Sequence, residues 1–148
     1  MNENDIKHFI KTTINFFKDA SGFEAKCGIP SVKTSDPVVL EYTGIIGISG
    51  KRKGSIYFTS NAKLLSDLAK IMLQTDTVYN EDIRDLVGEV ANTITGNLRE
   101  IFGSEFLISV PVIVEGQARD IKLPDDIDSF VIPILWQDNK AFLVICLE

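Results

Sequence analysis

The chain has 148 residues, 45% of them hydrophobic, and a formal net charge of −6. That length suits one domain with a sizeable buried core, and the acidic balance argues against nucleic acid or an anionic membrane surface as partner. Two cysteines and a single histidine offer neither zinc-ligand spacing nor a Ser/His/Asp or Cys/His catalytic set.

The amino-terminal stretch MNENDIKHF is acidic where a signal peptide is basic, and no apolar run approaches the length of a membrane span. A cytoplasmic protein is therefore expected, with Cys27 and Cys146 as reduced thiols in strand-like surroundings. From Asn4, read as an N-cap, Ile6, Phe9, Ile10, Thr13, Ile14 and Phe17 repeat at helical spacing until Ser21 and Gly22 end the pattern. Phe23, Ala25 and Cys27 alternate as in a short strand, and Ser35-Asp36-Pro37 reads as a turn. Val38 to Ser49 reads as a long strand, turned back by Gly50-Lys51-Arg52-Lys53-Gly54 into Ser55-Ile56-Tyr57-Phe58. Gly44, Gly47 and Gly50 lack a following helix amino-terminus, so they do not form a phosphate loop.

A second helix starts at Ser60 or Asn61, carries Leu64, Leu65, Leu68, Ile71 and Met72 as its apolar stripe, and ends near Gln74. The third runs from Asn80, read as its N-cap, to a terminating Gly103, with Glu81 and Asp82 in the first turn. Leu86, Val87, Val90, Ala91, Ile94, Leu98 and Ile101 fall on one side and should be buried. Opposite them lie Asp85, Glu89, Asn92, Thr93, Gly96 and Arg99, joined by steps of three and four.

This polar stripe is expected to be solvent-accessible, yet its composition is odd for a merely solvated face. Asn, Thr and above all Gly weaken an exposed helix, Gly by about 1 kcal/mol relative to Ala. A small polar surface for close approach by another protein accounts for them. The alternative is a solvated face with Gly96 packed on a neighbouring strand. Aligning the first helix on the third through Asp5-Ile6-Lys7 and Asp82-Ile83-Arg84 sets Thr12 against Glu89 and Asn15 against Asn92, a weak repeat that would leave one complete stripe per chain.

Three further strands are expected over Phe106 to Val114, Phe130 to Trp136 and Ala141 to Leu147, the last two joined by the turn Gln137-Asp138-Asn139-Lys140. Between the first two, Glu115 to Ser129 reads as a hairpin arm or a loop. The whole is a single α+β domain, residues 1–148, with helices packed on one face of a largely antiparallel sheet.

Asp85-x3-Glu89-x2-Asn92, continuing through Thr93-Ile94-Thr95-Gly96-Asn97, resembles the signature helix of the CheC/CheX phosphatases of bacterial chemotaxis, closest to the CheX branch. The order of elements is similar to that family over nearly the whole chain. The resemblance implies a phosphatase acting on the aspartyl phosphate of a CheY-like response regulator, with Asn92 orienting the attacking water and Glu89 pairing with the regulator's lysine. It puts Asp85, Thr93 and Gly96 on the partner-binding face, implies no cofactor or metal of the chain's own because Mg²⁺ belongs to the regulator, and implies a homodimer built through sheet contacts. Two other readings stand beside it: a docking module that binds a response regulator or a flagellar switch protein without catalysis, and a structural domain that has inherited the helix.

Overall fold

The computed structural model describes residues 1–33, 38–116 and 128–148. The expected turn at Ser35-Asp36-Pro37 and most of the Glu115 to Ser129 segment lie outside them.

The first helix, α1 (Glu3–Ser21), is capped by Asn2, two residues before the Asn4 expected in that role. Asn2 accepts the Asp5 N–H at 2.9 Å while the Asp5 carboxylate accepts the Asn2 N–H at 3.2 Å, so two otherwise orphaned donors are satisfied reciprocally. Gly22 closes the helix at φ 80°. Phe9, Thr12, Thr13, Phe16 and Phe17 face inward. Burial of Thr12 removes any accessible counterpart of Glu89 on this helix, so α1 does not carry a second copy of the third helix's polar stripe.

Two short edge strands follow, β1 (Lys26–Cys27) and β2 (Ser31–Lys33), and then the hairpin of β3 (Tyr42–Gly50) and β4 (Gly54–Ser60). The strand expected from Val38 starts only at Tyr42, because its partner β4 ends at Ser60, opposite Tyr42, where the chain turns into the next helix. Helix α2 (Ala62–Leu73) is capped by the Asn61 carboxamide oxygen, which accepts the Leu64 N–H at 3.1 Å. Helix α3 (Asn80–Phe102) follows after a short link.

Phe106 to Val114 is two strands, not one: β5 (Phe106–Ile108) and β6 (Val112–Glu115), both antiparallel to β3. Ile48 pairs with Ile108 and Ile45 with Val112, so Ser109, Val110 and Pro111 span a stretch that Ile46 and Gly47 cover on β3. That extra residue is a bulge, fastened by mutual bonds between Gly47 and Ser109 at 2.8 and 2.9 Å. Pro111, with no N–H to give, is tolerated on an edge.

The last hairpin joins β7 (Ser129–Trp136) to β8 (Asn139–Leu147). Its turn is two residues, shorter than the four expected: Gln137 and Asp138 both have positive φ (49° and 61°), as a type I′ turn requires, and Trp136 pairs directly with Asn139.

The eight strands form one antiparallel sheet ordered β1-β7-β8-β4-β3-β5, with β2 on β7 and β6 on β3. One face, with Ile46, Ile56, Phe58, Ile132, Ile134, Leu143 and Ile145, shares a continuous core with all three helices. The α+β arrangement read from the sequence is the one adopted. Cys27 and Cys146 lie in β1 and β8 and are not bridged; burial pushes the Cys27 thiol up to about 11, so it is not a nucleophile at neutral pH.

Candidate functional site

Helix α3 lies over β3 unusually closely. A Cβ at Gly44 would stand 2.6 Å from the Val87 carbonyl oxygen and 3.2 Å from the Ala91 Cβ, so only glycine lets the helix backbone settle there. On the helix itself, a Cβ at Gly88 would stand 3.0 Å from the Cδ1 of Ile113 on β6, a tight contact but one against the end of a side chain. With Leu86, Val87, Val90, Ala91, Ile94 and Leu98 buried beneath, the turns carrying the polar stripe are held against the sheet. Ile101, expected in the core, is 45% exposed; Phe102 takes the inward position, stacked on Phe106 at 5.2 Å and lying beneath the Arg52 guanidinium.

The start of α3 is anchored differently from the expected Asn80 cap. Asp82 accepts the Tyr79 N–H at 2.9 Å, making Tyr79 the capping residue. The Asn80 side chain is engaged elsewhere: its oxygen accepts from the Tyr42 hydroxyl, and its amide donates to Glu115 at 3.2 Å. Arg84 reaches the same Glu115 carboxylate at 3.4 Å. Desolvation, then Glu115 and Glu41, hold the Tyr42 phenol up against the opposing Arg84, so it remains a protonated donor. This tie between β3, β6 and the first turn of α3 joins residues distant in sequence, and no periodicity signals it.

On the outer side of α3, Asp85, Glu89 and Arg99 are exposed, and Asn92, Thr93 and Gly96 are half-buried but open to solvent. The stripe is accessible as expected. The Thr93 hydroxyl donates to the Glu89 carboxylate at 3.1 Å, fixing its direction one turn before Asn92. Among the described residues no cation neutralises Glu89, and neither the Asn92 carboxamide nor the Asp85 carboxylate has a hydrogen-bond or ion-pair partner. A Cβ at Gly96 would meet nothing within 4 Å, so packing on a strand does not explain that glycine.

The chemistry available is limited and specific. A directed carboxylate can pair with a cation brought by another molecule, and an uncommitted amide beside it can accept from and donate to a water. Among the described residues no group of His, Cys, Asp and Glu is arranged to hold a metal, and His8 packs edge-on to Phe102, remote from these roles.

Beside the stripe, and not read from the sequence, a groove of ≈ 290 Å³ separates α2 from α3, lined by Ala69, Met72, Leu73, Asp82, Asp85, Leu86 and Glu89. Met72, expected in the core, is 39% exposed there. Periodicity marks it as apolar; how deeply the end of α2 is covered depends on tertiary packing.

A family model described as chemotaxis phosphatase CheX matches residues 42–135, from β3 into β7 and including all of α3. Among curated proteins no sequence relative matches. Among solved structures, a chemotactic CheC-like protein from Shewanella oneidensis is 31% identical with a TM-score of 0.83, each chain covered completely. The chemotaxis protein CheX from Vibrio vulnificus is 27% identical with a TM-score of 0.86, over 98% of this chain and 99% of that one. The fold also matches a CheX-CheY-BeF3-Mg²⁺ complex from Borrelia burgdorferi, at 19% identity and a TM-score of 0.79 over 97% of both chains.

Proposed function

The chain belongs to the CheX family of chemotaxis phosphatases, and from that premise we propose that it hydrolyses the aspartyl phosphate of a CheY-like response regulator in the cytoplasm. The observation that carries this reading is the pairing on one accessible helix face of a directed, unneutralised carboxylate, Glu89, with an uncommitted carboxamide, Asn92, one turn later. The Borrelia protein of the same fold is seen bound to CheY with beryllofluoride and Mg²⁺, a partner of the kind required here.

In this reading α3 is laid across the regulator's phosphorylation site. Glu89 pairs with the regulator's lysine, a charge-assisted contact that fixes the register. Asn92 then holds a water in line with the phosphorus, opposite the aspartyl oxygen that leaves. Phosphoryl transfer runs through a loose, in-line transition state, so positioning supplies most of the acceleration and no covalent intermediate on this chain is needed. A neutral amide orients the water without adding charge beside the phosphoryl oxygens, where a carboxylate would repel. A hundredfold acceleration asks about 2.7 kcal/mol of this contact. The Mg²⁺ comes with the regulator and stabilises charge on the phosphoryl group; this chain contributes no metal ligand.

Asp85, Thr93 and Gly96 widen the partner-binding face, Thr93 through its hold on Glu89 and Gly96 by leaving room for the regulator's backbone. The proposal includes a homodimer, supported by the apolar sheet edge at β5 and β6, where Leu107, Val110 and Val112 are 46%, 81% and 59% exposed.

The test is phosphate release from phosphorylated receiver regulators of the same cell. The chain, present at less than one equivalent, should accelerate release from at least one of them well beyond its own decay. If regulators bind but none loses phosphate faster, the docking-module reading replaces this one.

A further inference from the structure

The groove between α2 and α3 has a floor and a rim of different chemistry. Ala69 and Leu86 form the buried base, Met72 and Leu73 stand 39% and 56% exposed along one wall, and Asp82, Asp85 and Glu89 form the other. No cation lines it. Asp82 is occupied with the Tyr79 N–H, and Glu89 is held by Thr93. Asp85 alone on that wall has no hydrogen-bond or ion-pair partner among the described residues. Helix α2 ends at the groove, with Gln74 in the left-handed region at φ 52°, so the negative end of its dipole adds to the carboxylates. Lys70, the only basic residue in that last turn, is not among the lining residues.

We infer that this groove is a second anchoring point for the phosphorylated regulator, receiving an apolar side chain of the regulator while Asp85 pairs with a lysine or arginine flanking it. The inference rests on the functional reading above and deepens it. Two observations select this occupant. The groove is continuous with the site, since Glu89 belongs to both. The charge also selects: a second copy of a chain with net charge −6 would bring further negative charge to an acidic rim, whereas a basic-flanked apolar side chain complements both walls. Met72 and Leu73 suit a docking wall, the flexible thioether adapting to the shape of the entering group. Such an anchor divides the labour along α3: Asn92 acts on the reaction, Glu89 on register, and the groove on affinity.

The variant Met72→Gln/Leu73→Ser changes two partly exposed positions and should leave thermal unfolding nearly unmoved. Its binding to the regulator that the wild type dephosphorylates, activated with beryllofluoride and Mg²⁺, should weaken at least tenfold, about 1.4 kcal/mol. KM should rise in parallel while kcat at saturating regulator stays within twofold. Asp85→Asn should weaken the same binding and flatten its dependence on salt. The inference is overturned if the double variant binds and turns over like the wild type. It is equally overturned if kcat falls at unchanged KM, or if the variant alters the chain's own mass by light scattering while regulator binding is unaffected. Failure of the phosphatase reading looks different: the wild type then binds regulator without accelerating phosphate loss, or binds none.

Discussion

Gly44→Ala tests how far the site depends on the depth at which α3 sits. The added methyl would lie 2.6 Å from the Val87 carbonyl oxygen and 3.1 Å from its carbonyl carbon. A carbon and a carbonyl oxygen meet comfortably at about 3.3–3.6 Å, so the turn from Val87 to Ala91 must lift by roughly 0.7–1 Å. Both obstacles are backbone atoms of a helix packed on its other flank by Ile113, and neither can rotate aside. Overpacking of this kind costs about 1–3 kcal/mol, which for a chain of this size lowers Tm by about 2–12 °C. The lifted turn contains Glu89 and ends beside Asn92, and a misplacement near 1 Å can cost about a hundredfold in rate. We therefore expect calorimetry to show the fall in Tm, and single-turnover phosphate release, with the folded variant in excess over phosphorylated regulator, to slow at least tenfold. A Gly44→Ala protein with wild-type Tm and wild-type turnover would refute the claim that close approach of α3 to β3 sets the site.

Gly96→Ala makes the opposite prediction from the same substitution. With nothing within 4 Å of the new methyl, helix propensity alone should stabilise the free protein by up to about 1 kcal/mol, seen as a Tm rise of about 2–4 °C, while regulator binding weakens because the methyl stands on the contact face. Light scattering at tens of micromolar, about where an ordinary stable interface is populated, should give the mass of a dimer, and Val112→Lys on the apolar edge should return a monomer; a wild-type monomer would remove the homodimer from the proposal. Glu89→Ala should weaken binding of the activated regulator while leaving Tm within about 2 °C, since an exposed substitution usually costs within about 0.5 kcal/mol.

The elements that could be read from the sequence are those whose signal is local. Helix α3 has a long 3.6-residue repeat, acidic residues in its first turn and a closing glycine, and its polar stripe could be recognised because Gly96 has no place on an ordinary solvated helix. The hairpins announced themselves through β-branched runs broken by glycines or by Asp138-Asn139. Features set by partners far along the chain were not legible. Asn80 looks like a cap, but Tyr42 and Glu115 claim its side chain, so the cap moves to Tyr79. Phe106 to Val114 looks continuous, and only the register against β3 shows the bulge at Ser109 to Pro111. Ile101 and Met72 keep the helical period yet stand near helix ends, where the core has run out. Gly44 reads from the sequence only as one glycine within the long strand from Val38, and the packing shows it to be the point on which α3 rests.

The most direct measurement of the central claim is paired binding and turnover of Asn92→Ala against a regulator that the wild type dephosphorylates. Asn92 is half-buried, bonds to no other described residue and can be truncated without unpairing a neighbour. Removing its amide should leave affinity for the beryllofluoride-activated regulator within about threefold while phosphate release at saturation falls at least tenfold, a loss of about 1.4 kcal/mol or more of transition-state stabilisation. Full turnover by Asn92→Ala, with affinity unchanged, would contradict the assignment of water orientation to this residue and leave α3 as a docking face.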